Sequence, residues 1–89
     1  MNTKQLSTLA DVFAIPTKTT LRWTAVRSLF EALGADVTEG RGSRVRVALN
    51  GVRATFHSPH PSPEIGRKTV ADIRDFLIAA GIRHDSREE

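Results

Sequence analysis

Four basic side chains within one short stretch could bind a phosphate and move a proton. They are Arg44, Arg46, Arg53 and His57. An arginine guanidinium is a permanent cation whose planar donors match phosphate oxygens, and a histidine imidazole changes charge near neutral pH. Side chains of these two types on one surface suit the binding of a polyanion and acid–base chemistry at a phosphate.

The residues around this stretch predict a β-hairpin that brings the four side chains together. Two alternating runs of polar and apolar residues flank Asn50 and Gly51. An Asn-Gly pair in this position favours a two-residue type I′ turn. Because side chains alternate along a strand, Arg44 then lies opposite His57 on a basic face. The other face is apolar and must be covered; it carries Val45, Val47, Leu49, Val52, Ala54 and Phe56.

The charge distribution points to the same surface. The chain has 89 residues and a net charge of +3, but no acidic residue lies between Glu39 and Glu64. A basic patch on a sheet is typical of polyanion binders, although a solvated strand face gives the same pattern. Within this window, Arg41 lies in a glycine-rich turn whose amides could approach a phosphate. His60 stands between two prolines, which fix an extended loop.

Three segments have the apolar periodicity of amphipathic helices, at about 3–14, 24–33 and 68–80. Thr24 is the predicted N-cap of the second helix, and Gly34 is its predicted C-terminal stop. The predicted apolar stripes are Leu6, Leu9, Val12 and Phe13 in the first helix, Val26, Leu29, Phe30 and Leu33 in the second, and Val70, Ile73, Leu77 and Ala80 in the third.

A short strand at 35–38 would join the hairpin in a three-stranded antiparallel sheet. The order of elements predicts an α+β fold, a two-layer sandwich with the helices on one face of the sheet and the other face open. We expect one domain over 1–89, with a core at 22–82, an N-terminal helical extension at 1–16 and a disordered tail at 83–89.

The sequence also restricts the cellular location of the protein and the disulfide and metal chemistry open to it. It contains no cysteine, which excludes disulfides and thiolate metal sites. The first residues are not followed by the apolar segment of a signal peptide, and the longest apolar run is too short to span a bilayer. We therefore expect a cytoplasmic protein with no membrane partner, and the residues indicate neither a cofactor nor a metal.

Several segments, in their order along the chain, resemble the HicA toxins, which are small mRNA interferases of bacterial type II toxin–antitoxin systems. The resemblance covers about 22–82. It rests on Leu33-Gly34 at a helix end, Gly42-Ser43 before the basic hairpin, the His60-Pro61 loop and the terminal Ala80-Gly81-Ile82. It implies a fold like that of double-stranded-RNA-binding domains, a metal-independent endoribonuclease activity on mRNA and a HicB-type antitoxin partner.

The chain departs from this family at one position that matters. The family pattern has a catalytic histidine directly after Gly-Ser, where this sequence has Arg44. Arginine does not lose its proton in proteins, so it cannot be a general base. If the chain cleaves RNA, we expect His57 to transfer the proton, Arg44 to stabilise the phosphorane and His60 to be a second titrating group. The predicted RNA contacts are Arg41, Ser43, Arg44, Arg46, Arg53 and Lys68.

Two other functions fit the same residues. Without the family histidine, the chain could be an RNA-binding module that does not cleave. The basic face could instead dock an acidic protein, which would make the chain a protein-interaction domain.

Overall fold

A computed structural model describes residues 1–59 and 64–84. Within these ranges the chain forms helices in one layer and an antiparallel sheet in the other, as the sequence predicts. The helices are α1 (Thr3–Val12), α2 (Trp23–Ala32) and α3 (Arg67–Ala79), and the strands are β1 (Asp36–Glu39), β2 (Arg44–Leu49) and β3 (Val52–His57).

The sheet has the strand order β1-β2-β3, and both neighbouring pairs are antiparallel. The predicted hairpin register is confirmed, because Val47 pairs with Ala54 and Arg44 pairs with His57. Asn50 and Gly51 have positive φ angles of 52° and 83°, as both central residues of a type I′ turn require. The Asn50 side chain also donates a hydrogen bond of 2.7 Å to the carbonyl of Ala80, which ties the turn to the end of α3.

One face of the sheet is packed against the helices. Burial alternates along β2, where Val45, Val47 and Leu49 are buried and the residues between them are not. Phe30 of α2 is fully buried, with its ring centroid 6.0 Å from that of Phe56. The remaining buried apolar residues of α2 and α3 complete one continuous core, and Leu33 packs half-buried at its edge. The α+β fold with a helical layer on one sheet face is therefore confirmed.

The start of α2 differs from the prediction. The helix begins at Trp23 with Arg22 as N-cap, and no side chain caps it. Trp23 is buried, and its ring meets Phe30 edge-on at a centroid distance of 6.4 Å. Trp23 is the first helical residue because its indole packs against Phe30. Thr24 is therefore the second helical residue instead of the N-cap, and the predicted Thr24 cap is wrong. At the other end, Gly34 has a φ of +88° and ends the helix as predicted.

Helix α1 packs on the helical layer with most of the predicted stripe, since Leu9 and Val12 are buried and Phe13 is half-buried. The Gln5 side chain closes a capping box with Asn2 and donates a 2.9 Å hydrogen bond to the Ser28 hydroxyl of α2. Leu9, one turn further along, is buried. Adjacent helix residues are rotated by about 100°, so Leu6 points away from this contact. Leu6 is 52% exposed, so the predicted stripe is wrong at this one residue.

Near the C-terminus, the chain returns to α1. His84 stacks on Phe13 with ring centroids 6.1 Å apart. Of the tail predicted at 83–89, Arg83 and His84 are described, and 85–89 lie outside the described residues.

Arg74 of α3 binds the segment that follows α1. Its Nε donates to the carbonyl of Val12 at 2.9 Å, and its Nη2 donates to the carbonyl of Ala14 at 3.2 Å and to the Thr17 hydroxyl at 3.1 Å. The last carbonyls of a helix have no partner within the helix, and a cation at this end also complements the helix dipole. One side chain therefore caps α1 and joins it to α3.

Replacing Arg74 with alanine should lower the free energy of unfolding by about 2–3 kcal/mol, because partly buried carbonyls lose charge-assisted hydrogen bonds. Arg74→Lys should recover only part of this loss, since an ammonium cannot reproduce the planar guanidinium contacts. Urea denaturation followed by circular dichroism measures the effect, with exposed Arg83→Ala as the matched control. A difference below about 0.5 kcal/mol between Arg74→Ala and wild type would refute this role.

Candidate nucleic-acid interface

The sheet face away from the helices carries polar side chains in cross-strand rows. The antiparallel registers place Asp36, Ala48 and Arg53 in the first row and Thr38, Arg46 and Thr55 in the second. Arg44 and His57 form the third row. We call the surface made by these three rows the open face. Its residues are exposed except for Ala48, which is half-buried.

The structure brings four of the predicted site residues together on the open face. They are Arg44, Arg46, Arg53 and His57. Arg44 and His57 are direct neighbours on adjacent strands, a relation that puts Cβ atoms about 5 Å apart. A phosphate oxygen could therefore contact a guanidinium and an imidazole at the same time.

The turn before β2 adds another cation beside this pair. The Gly40 amide donates to the Arg44 carbonyl at 2.8 Å, and the Arg44 amide donates to the Arg41 carbonyl at 3.2 Å. These bonds fix the turn so that Arg41, Arg44 and Arg46 border one surface depression of about 370 Å³. Ser43 is half-buried, and its carbonyl accepts from the Ser58 amide at 2.8 Å. That bond extends the pairing of the hairpin by one residue beyond His57.

One predicted RNA contact, Lys68, is not brought to the open face. Lys68 lies in the first turn of α3, in the helical layer, where its ammonium is 3.6 Å from the Asp72 carboxylate. Its side chain is 89% exposed. His60 lies outside the described residues. An RNA contact of Lys68 and a proton-transfer role of His60 stay predictions.

Two acidic side chains of β1 lie on or beside the open face, and one of them is paired with a cation of the helical layer. Glu39, at the end of β1, forms an ion pair with Arg27 of α2. Arg27 also bonds Glu31 at 3.3 Å, so the Glu39 carboxylate is engaged on the helical side. Among the described residues of the open face, Asp36 is the one that carries a carboxylate. Sequence reasoning missed it because its position follows from the β1–β2 register, which the hairpin pattern does not give.

A shallow groove of about 620 Å³ crosses the first two rows of the open face. Ala48 forms its floor, because the small side chain leaves space between longer neighbours. The polar side chains that border the groove are Asp36, Thr38, Arg46, Arg53 and Thr55. Together they offer guanidinium donors, hydroxyls and a carboxylate acceptor. In the part of the chain that the structure describes, no group of three or more His, Asp or Glu side chains could hold a metal ion.

A comparison with protein families matches residues 23–82 to the family described as HicA toxin of bacterial toxin–antitoxin. This chain belongs to the HicA toxin family. The matched HicA segment begins at Trp23 and ends at Ile82, so it contains the whole open face and leaves α1 outside. It confirms the family resemblance of the sequence and identifies a toxin of a toxin–antitoxin pair. Comparisons with curated proteins and with solved structures gave no match.

No helix within the described ranges is both long and apolar enough to cross a membrane. Helix α1, although outside the matched HicA segment, places Leu9 and Val12 in the same core as α2 and α3. The packing of α1 therefore belongs to the same fold as the HicA segment.

Proposed function

We propose that this HicA-family toxin binds RNA on the open face and cleaves mRNA as a metal-independent endoribonuclease. One observation carries the proposal: three arginines and a histidine share one exposed face, with Arg44 directly opposite His57. Exposed arginines suit the phosphates of a polyanion, and a titratable group beside a fixed cation suits reaction at one of them. Family membership supports the choice of mRNA as the polyanion.

The reaction needs groups that this face can provide. His57 would remove the proton of a ribose 2′-hydroxyl, whose oxygen then attacks the adjacent phosphorus. The bond from phosphorus to the 5′-oxygen breaks, and that oxygen takes up a proton. Arg44 would stabilise the negative charge that builds up on the non-bridging oxygens in the transition state. His60 remains the candidate for the second proton transfer.

A second function is favoured by one specific residue. Arg44 occupies the position at which the family pattern has its catalytic histidine. A permanent cation binds phosphate but takes no proton, so the same face could bind RNA without cleaving it. Induced expression with analysis of cellular RNA distinguishes the two functions, because only a nuclease leaves cut transcripts.

The partner we propose is a HicB-type antitoxin that covers the open face, with both proteins in the cytoplasm. A partner with acidic side chains would complement Arg44, Arg46 and Arg53 and keep RNA away from them. This arrangement would explain neutralisation without any change in the toxin fold.

Induction of the chain in growing bacteria should stop growth and produce cleaved mRNA within one generation. Co-expression of a HicB-type antitoxin, which we expect to be encoded beside the toxin, should restore growth and intact transcripts. The control is a variant with Arg44, Arg46 and Arg53 all replaced by alanine, produced at the same level. Normal growth with intact mRNA would contradict a nuclease toxin, and arrest with intact mRNA would favour the non-cleaving binder.

A further inference from the structure

We propose that the groove above Ala48 holds one base of the bound RNA and that Asp36 and Arg53 select guanine there. This inference rests on the proposed RNA binding and adds a base preference to it. The starting observation is a carboxylate and a guanidinium on opposite sides of a small floor residue, in one cross-strand row.

The dimensions of the row suit a single base. Neighbouring strands lie about 4.8 Å apart, so the Cα atoms of Asp36 and Arg53 are separated by about 10 Å with Ala48 between them. The half-buried methyl group of Ala48 leaves the space above the floor open. Bases of single-stranded RNA can turn out of their stack and present their edges to side chains. A base above Ala48 would thus meet Asp36 on one edge and Arg53 on another.

The charges on the open face indicate that Asp36 has a specific role in ligand binding. The remaining ionisable side chains of the open face are basic, and a carboxylate there weakens phosphate binding in general. The described residues include no ion pair between Asp36 and a neighbouring arginine, whereas Glu39 is paired with Arg27. An exposed acceptor at the edge of a face of donors is explained if it receives hydrogen bonds from the ligand.

Guanine is the base that fits both sides. A carboxylate only accepts hydrogen bonds and has two oxygens, while a guanidinium only donates and has a forked geometry. Guanine presents two adjacent donors, N1–H and the N2 amino group, on one edge. It presents two adjacent acceptors, O6 and N7, on another. Adenine mixes donors and acceptors on both edges, and uracil places its single N–H donor between two carbonyl oxygens.

The test uses short oligonucleotides of equal length and charge with 2′-O-methyl sugars, which lack the nucleophile and cannot be cleaved. One has uracil throughout, one has guanine at every third position, and one has hypoxanthine in place of each guanine, which removes only the N2 amino group. In fluorescence anisotropy, wild type should bind the guanine oligonucleotide about tenfold more tightly than the uracil one, the size expected of a good bidentate contact. The hypoxanthine oligonucleotide should bind with intermediate affinity, because it keeps N1–H, O6 and N7.

Asp36→Asn should remove the preference for guanine over hypoxanthine, because an amide offers one acceptor and adds a donor. The readout is the ratio of affinities for the guanine and hypoxanthine oligonucleotides, which differ only in the N2 amino group that Asp36 would bind. A merely electrostatic effect of losing one negative charge would raise both affinities and leave their ratio unchanged. Asp75→Asn, at an exposed acid of α3, is the matched control and should keep the wild-type ratio.

The outcomes separate this inference from the function on which it rests. Salt-sensitive binding without guanine preference, or a preference for guanine over hypoxanthine that survives in Asp36→Asn, overturns the inference and leaves RNA binding in place. No binding to any of the oligonucleotides overturns both. If a glutamate-rich peptide occupies the groove more tightly than the guanine oligonucleotide does, the groove belongs to an acidic protein partner, and the inference is wrong.

Discussion

RNA affinity should fall about a hundredfold at 0.1 M salt when Arg44, Arg46 and Arg53 are all replaced by alanine. All three side chains are exposed on the open face, and none of them takes part in an ion pair among the described residues. Each phosphate contact to a single strand contributes about 0.7 to the slope of log affinity against log salt concentration. Removing three contacts should therefore reduce that slope by about two.

The measurement is a salt titration of binding to a 2′-O-methyl oligonucleotide, for wild type and for the triple variant. The oligonucleotide contains uracil throughout, so the proposed contact of Arg53 with guanine does not contribute and the three arginines are tested as phosphate contacts alone. A matched triple variant, Lys4→Ala, Arg67→Ala and Arg83→Ala, removes the same charge from exposed positions outside the open face. Equal slopes for the two triple variants would show that RNA binds elsewhere or responds only to net charge.

The sequence predicted the parts of this surface that depend on local chemistry. Asn50 and Gly51 determine the turn, the turn determines the register, and the register determines that Arg44 faces His57. The alternation of Val45 and Val47 with basic residues then determines which face is buried. Each of these steps involves residues close together in the chain, where backbone preferences and strand periodicity are decisive.

The features that the sequence did not predict depend on segments that are distant in the chain. Arg74 lies off the predicted apolar stripe of α3, and its partners lie around 60 residues away, at the end of α1 and in the segment that follows it. Leu6 belongs to the apolar stripe of α1, but it remains exposed beside Gln5, whose side chain makes the contact with Ser28 of α2. Asp36 reaches the open face through pairing of β1 with β2. A periodic pattern identifies an apolar stripe without identifying its neighbour.

The second large effect that we expect is on catalysis. If the chain cleaves RNA, His57→Ala should reduce the cleavage rate about a hundredfold or more, the usual effect of losing a positioned general base. Arg44 cannot replace it, because a guanidinium keeps its proton. Arg44→Ala should also slow cleavage, through weaker stabilisation of the phosphorane, and Arg44→Lys should restore part of the rate because the charge returns.

A purified cleavage assay at saturating RNA separates the chemical step from binding, since His57→Ala should lower kcat with little change in KM. His84→Ala is the control, because His84 stacks on Phe13 rather than lying on the open face. Thermal denaturation establishes that each variant is folded. A folded His57→Ala protein that cleaves at the wild-type rate would remove His57 from the mechanism. A loss confined to His60→Ala would assign the proton transfer to the proline-rich loop. Arg44 would then act as the phosphate-binding cation beside a histidine supplied by that loop.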